Sequence, residues 1–171
     1  MTEEQQPVQV TTLSWGVKQS FRSYVEATGG VIETREGAER AADGGFTFAA
    51  APGGGLKLDA NGRPEGIGTF LGEVRFDAHG GMLSVRLADP VLEIGPSGAV
   101  LTVADGGARN RRVEIARLDL TAMTSGDSGE IVIPASLTMD GSQLLGDHYP
   151  AMTALDPVRL APAGRGPSKG G

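Results

Sequence analysis

Apolar residues recur at helical spacing in only one stretch of this chain. Leu13, Val17, Phe21 and the pair Tyr24 and Val25 lie three or four positions apart, the period that lines one face of an α-helix. The segment therefore predicts a helix over about residues 13–27, with Thr12 or Ser14 available to cap its start and Gly29 with Gly30 to stop it. Gly16 and the aromatic residues give this stretch modest helix propensity, so the helix needs a larger partner to pack on.

Beyond residue 45 the pattern changes to short apolar runs with strand character: 46–49, 56–58, 67–76, 82–87, 91–94, 99–103, 112–121 and 130–138. Gly, Pro, Asn and Asp separate them, the punctuation of a turn-rich antiparallel protein. In Val113, Ile115, Leu118 and Leu120 the alternation slips by one residue near Ala116, which a β-bulge explains. The expected fold is mainly β, an antiparallel sandwich or barrel with the sandwich taken as the expectation, and one N-terminal helix packed on it. Residues 1–11 read as a polar lead, residues 12–160 as the folded domain, and residues 161–171, APAGRGPSKGG, as a flexible Gly/Pro-rich tail.

Composition narrows the chemistry. A chain of 171 residues suits one domain, and 27 glycines with 10 prolines fit a fold made of many turns. There is no cysteine, which excludes disulfides, thiolate metal centres and cysteine nucleophiles. With 15 basic against 21 acidic residues, the surface repels phosphate backbones, so nucleic acid is not an expected partner. No apolar run is long enough to span a membrane, and the acidic start MTEEQQPVQV is unlike a secretory leader. As given, the chain reads as cytoplasmic, with a secreted or cell-surface location as the alternative.

Several short motifs carry less than they suggest. Gly126, Asp127, Ser128 and Gly129 spell the GDSG of a serine-protease nucleophile, but neither His79 nor His148 has the surroundings of its base, and turn chemistry suffices. Gly53–Gly55 lacks the Lys and Ser or Thr of a phosphate loop. Asp59, Asn61 and Glu65 are wrongly spaced for a calcium loop, and DANG is an ordinary turn sequence. The two histidines and two tyrosines are more distinctive: Tyr24 falls on the helix, His79 precedes Gly80 and Gly81, and His148 and Tyr149 adjoin Pro150. On general grounds these are a core tyrosine and solvated turn residues.

Longer stretches say more. LSWGVKQSFRSYV at 13–25, VRFDAHGGML at 74–83, GDHYPAM at 146–152 and LDPV at 155–158 together strongly resemble, in order and over about residues 12–160, the HtaA domain of actinobacterial haem-uptake proteins. The resemblance implies a β-sandwich-like fold that binds haem. It implies Tyr24 as the ligand to the iron, His79 as its hydrogen-bond partner and Ser20 as a contact to the porphyrin carboxylates, with Lys18 and Arg22 near enough to add charge. Ser20 and Tyr24 are four apart and share a helix face. A phenol titrates near ~10 when unperturbed, so it binds iron as phenolate only where ferric iron and a donor stabilise the anion. The implied cofactor is ferric haem b, released on reduction or acidification; outside the family pattern, His148 of GDHYPAM is a candidate second axial ligand if it faces the pocket, and otherwise a loop histidine beside a turn proline.

The expected function is haem acquisition, trafficking or storage by hand-off to or from another protein, without catalysis; a homodimer is compatible with it. The alternative is an enzyme with weak peroxidase or haem-modifying activity, since tyrosine also ligates haem in catalase, but no separate acid/base constellation accompanies the pair. A structural sandwich without ligand is the third reading, opposed by the presence of both Tyr24 and His79.

Overall fold

The computed structural model describes residues 8–162 apart from 53–54, 60, 97, 106–107, 127–128 and 147–148, and not the side chains of 105 and 108–111. In chain order the elements are β1 (Val8–Trp15), α1 (Gln19–Ala27), β2 (Val31–Arg35), β3 (Glu39–Arg40), β4 (Phe46–Ala50), β5 (Lys57–Leu58), β6 (Pro64–Glu65) and β7 (Ile67–Leu71). They continue with β8 (Glu73–Ala78), β9 (Leu83–Gly95), β10 (Gly98–Asp105), β11 (Ala108–Leu118), β12 (Thr124–Ser125), β13 (Ile131–Leu137), α2 (Met139–Leu144) and β14 (Ala154–Pro162).

The architecture is a closed barrel rather than the expected sandwich. Strands β4, β7, β9, β10, β11, β13, β14 and β1 follow one another in hydrogen-bonded order, and β1 pairs back to β4 to close the ring of eight. Closure depends on β1, which pairs on one side with β14 (Leu13 opposite Leu160) and on the other with β4 (Leu13 opposite Phe48). Residues 13–15 are therefore strand, and the helix starts at Gln19 rather than near Leu13. A bulge also lies in this strand: register shifts between Val10 and Thr12, so Val10 and Leu13, three apart, are both buried. The apolar spacing that imitates a helix is the one after it: Leu13, Trp15 and Val17 are all buried, the strand period of two, and the step of four from Leu13 to Val17 fits that period as well as a helix. β1 also begins at Val8, inside the stretch read as a polar lead.

Other differences have equally local causes. The run 67–76 breaks at Gly72, whose φ of 139° sends β7 into the barrel and β8 out of it. The runs 82–87 and 91–94 fuse into the single thirteen-residue strand β9. Its second half pairs with β7 in the barrel wall, while its first half pairs with β8, which in turn pairs with β2. The slip near Ala116 is the expected bulge: Leu101 faces Ala116 but Thr102 faces Glu114, leaving Ile115 as the extra residue. β2, α2 and β14 carry too weak an alternation to be read from sequence.

The helix α1 lies against β2 and β8, on the extension that stands off the barrel. Phe21 and Val25 of α1 are fully buried, and the Phe21 ring meets Phe76 of β8 edge-on at 5.0 Å between centroids. Phe46 packs on the other side of Phe76 at 5.8 Å, so one aromatic column joins helix, extension and barrel. Edge-to-face pairs of this kind add stability beyond burial alone.

Candidate functional site

The position of α1 is set from outside the helix. Asp156, at the start of β14, accepts the backbone N–H of Gln19 at 3.0 Å and a guanidinium N–H of Arg22 at 2.7 Å through its two carboxylate oxygens. Its backbone N–H donates to Val17 O, and its carbonyl accepts from Trp15 Nε1 at 2.8 Å. A carboxylate at a helix N-terminus satisfies an orphan donor and complements the helix dipole. Asp156 thus does the work expected of Thr12 or Ser14, and the Lys18 N-cap has no side-chain cap of its own. Val17 reaches this corner with φ 64°, a strained conformation for a β-branched residue, while its side chain stays buried.

At the other end Gly29, with φ 82°, and Gly30 close the helix as expected, Gly30 N–H bonding Val25 O at 2.8 Å. Gly30 is pressed against β8: a Cβ there would lie 2.4 Å from Asp77 O and 2.9 Å from the Ala78 Cβ. Only a glycine lets the helix end come this close to the strand that leads into His79.

His79, Gly80 and Gly81 form the turn between β8 and β9, all three with positive φ (56°, 64° and 97°). Glycine adopts this conformation freely and histidine does so at a modest cost. The turn brings His79 Nε2 to 2.6 Å from the Tyr24 hydroxyl, with the two rings 5.7 Å apart between centroids. The phenol can donate to a neutral imidazole, and a phenolate can accept from an imidazole N–H; either bond at this length is strong, the charged one more so. Tyr24 is 37% exposed, so its oxygen sits at the surface rather than in the core expected of a lone helical tyrosine.

One turn earlier on the same face, Ser20 Oγ lies 3.0 Å from the Tyr149 hydroxyl. The Tyr149 ring is held edge-on by Phe21 at 6.4 Å and capped by Lys18 Nζ at 5.5 Å, and the same ammonium donates to Ala154 O. Ser142 Oγ donates to the Tyr149 carbonyl. Lys18, Ser20, Tyr149, Tyr24 and His79 therefore form one continuous polar and aromatic strip. Arg22 does not join it. Its guanidinium is buried on the opposite side of α1, bonded to Gly16 O and Asp156, beside a separate polar cleft of about 310 Å³ lined by Trp15, Asp43 and Phe46.

His148, Asp127 and Ser128 lie outside the described residues. Asp59 Oδ1 accepts from the N–H groups of Asn61 and Arg63, an Asx turn rather than a calcium loop. Among the described residues no three His, Asp or Glu side chains gather as metal ligands, and no helix is long and apolar enough to cross a membrane.

The family model described as Htaa matches residues 10–161. The chain belongs to the HtaA family. Three solved structures share the fold of this HtaA domain. The N-terminal domain of HtaA from Corynebacterium glutamicum is 24% identical, with TM-score 0.68, over 91% of this chain and 98% of that one. The C-terminal domain of the same protein is 24% identical, with TM-score 0.67, over 92% and 98%. The haem-binding protein HtaB from that organism is 21% identical, with TM-score 0.63, over 90% and 92%. Among curated proteins no match is found. In this HtaA domain Tyr24 and His79 meet and Ser20 lies one turn away on the same face, while the sequence assigned no role to Asp156 of LDPV, for which an Asp directly ahead of Pro157 was the only signal.

Proposed function

We propose that this HtaA domain binds ferric haem through the Tyr24 oxygen and hands it to another protein, as a binding domain and not an enzyme. The observation that carries this reading is the surface-exposed phenol whose oxygen lies 2.6 Å from His79 Nε2. Its donor set fits haem and not a bare ion. A free cation needs several protein ligands, which are not gathered among the described residues, whereas a porphyrin supplies four nitrogens and needs one strong axial donor.

Bound ferric haem would supply an iron centre that favours a hard anionic oxygen. The protein's part is then divided along the strip. Tyr24 offers the oxygen; His79 orients it and holds a proton next to it. The paired hydroxyls of Ser20 and Tyr149, with the Lys18 ammonium beside them, suit the carboxylates of the porphyrin edge, which accept hydrogen bonds and carry negative charge. Arg22 serves the helix instead. The family membership and the name of HtaB support the same reading. An exposed ligand also suits a carrier, because an acceptor can reach it without unfolding the domain.

The test is a hemin titration of the wild-type chain and of Tyr24→Ala, followed by visible absorption. One equivalent should give a saturable Soret band of tyrosinate type in the wild type, and the variant should lose it. Unchanged spectrum and affinity in Tyr24→Ala would move the ligand role to Tyr149 or His148. Haem should then pass intact to apomyoglobin, with no biliverdin beyond a free-hemin control under reductant and oxygen.

A further inference from the structure

Two methionines bracket the strip that runs from Ser20 to Tyr24. Met82 follows the His79 turn directly, its N–H bonded to His79 O at 3.2 Å, and its side chain is 90% exposed. Met152 lies at the other end, three residues after Tyr149 and two before Ala154, whose carbonyl holds Lys18. Its own N–H is bonded to Leu137 O at 2.7 Å, and its side chain is 78% exposed. Single exposed apolar residues are ordinary, but the backbone is anchored at both of these positions. Met82 is the exit of a turn whose three preceding residues all have positive φ, and Met152 itself has φ 74°. A residue with a side chain pays a strain of about 1 kcal/mol or more in that region where glycine would not, so Met152 stands in water at a backbone cost, whereas Met82, with φ −70°, is placed by the turn before it.

We propose that Met82 and Met152 form the apolar walls that hold the porphyrin, one at the His79 end and one at the Tyr149 end of the strip. This rests on the haem reading above. A ligand fixed to a surface phenol through one bond leaves wide apolar faces in water unless side chains cover them, and burying that surface is the main source of affinity available to an open site. Unbranched thioethers suit the task, since they adapt to a flat ring system and make favourable sulfur–aromatic contacts. Because both walls are flexible and stand outside the core, they can part when an acceptor protein takes the ligand.

The experiment is oxidative footprinting of the full chain with dilute hydrogen peroxide, with and without gallium(III) protoporphyrin IX, a redox-inert stand-in for ferric haem. Peroxide transfers one oxygen atom to an accessible thioether, giving methionine sulfoxide and water. Sulfoxide yield at Met82 and Met152 should fall several-fold when the porphyrin is present. Met123 is the internal reference: it precedes β12, which pairs with the Ile131 end of β13, whereas Met152 sits at the Leu137 end, about 20 Å away along the strand. Its oxidation should not change. In parallel, Met82→Gln and Met152→Gln should each speed haem loss to apomyoglobin about tenfold, the factor that burying most of a methionine side chain represents, while Met82→Leu and Met152→Leu retain haem. Equal sulfoxide yields with and without porphyrin, or Gln variants that hold haem as the wild type does, overturn the proposal if the wild type still shows the Tyr24-dependent spectrum. A wild type that takes up no hemin overturns the haem reading itself.

Discussion

Replacing Asp156 with alanine should loosen the proposed haem site without touching any residue in it. The carboxylate is 2.7 Å from Arg22, whose side chain is 10% exposed against 28% for Asp156. Removing one partner of a mostly buried pair leaves an uncompensated charge, and the lower end of the usual cost applies because water reaches Asp156, about 3 kcal/mol. Losing the bond to Gln19 N–H removes a helix cap, about 1 kcal/mol more. A loss of about 4 kcal/mol is a large share of the roughly 5–15 kcal/mol that stabilises a typical domain, and should lower Tm by about 10 °C in a chain of this size. The assay is urea and thermal unfolding by circular dichroism for Asp156→Ala, Arg22→Met and the double variant. Since Arg22→Met removes the stranded charge, the double variant should be more stable than the sum of the two predicts, by about 2 kcal/mol. Haem retention should fall in Asp156→Ala while the Tyr24-dependent spectrum persists. An Asp156→Ala stability within about 1 kcal/mol of wild type, or a strictly additive cycle, refutes the claim that this carboxylate fixes α1.

His79→Gly should separate stability from function: relief of the positive φ offsets the lost exposed hydrogen bond, so Tm should stay nearly constant, while haem affinity falls by ~10 to 100-fold with a tyrosinate spectrum retained. Replacement of that spectrum by one of a water-ligated species would make His79 itself a ligand. Gly30→Ala places a Cβ 2.4 Å from Asp77 O and 2.8 Å from Val25 O, so it should cost about 2–3 kcal/mol in urea unfolding and weaken haem retention by wedging the helix end away from the strand that carries His79. A Gly30→Ala chain as stable as wild type would show that the contact between α1 and β8 yields easily.

The candidate site was legible from sequence in proportion to how local its causes are. Gly29 with Gly30 and Gly80 with Gly81 mark chain reversals by their composition, and they do end α1 and form the His79 turn. The pairing of Tyr24 with His79 spans 55 residues; no periodicity reveals it, and only the resemblance of whole stretches did. Barrel closure was hidden for a related reason. It depends on β1 pairing with both β4 and β14, partners far away in the chain, while the step of four from Leu13 to Val17, twice the strand period, read as helical. Arg22 is the instructive miss, because the geometry needed to place it was already in hand. Each residue turns a helix by about 100°, so the spacing of four that puts Ser20 beside Tyr24 puts a residue midway between them on the far side. There Arg22 meets Asp156, and a charge near the candidate ligand Tyr24 in sequence becomes the anchor of the helix that carries it.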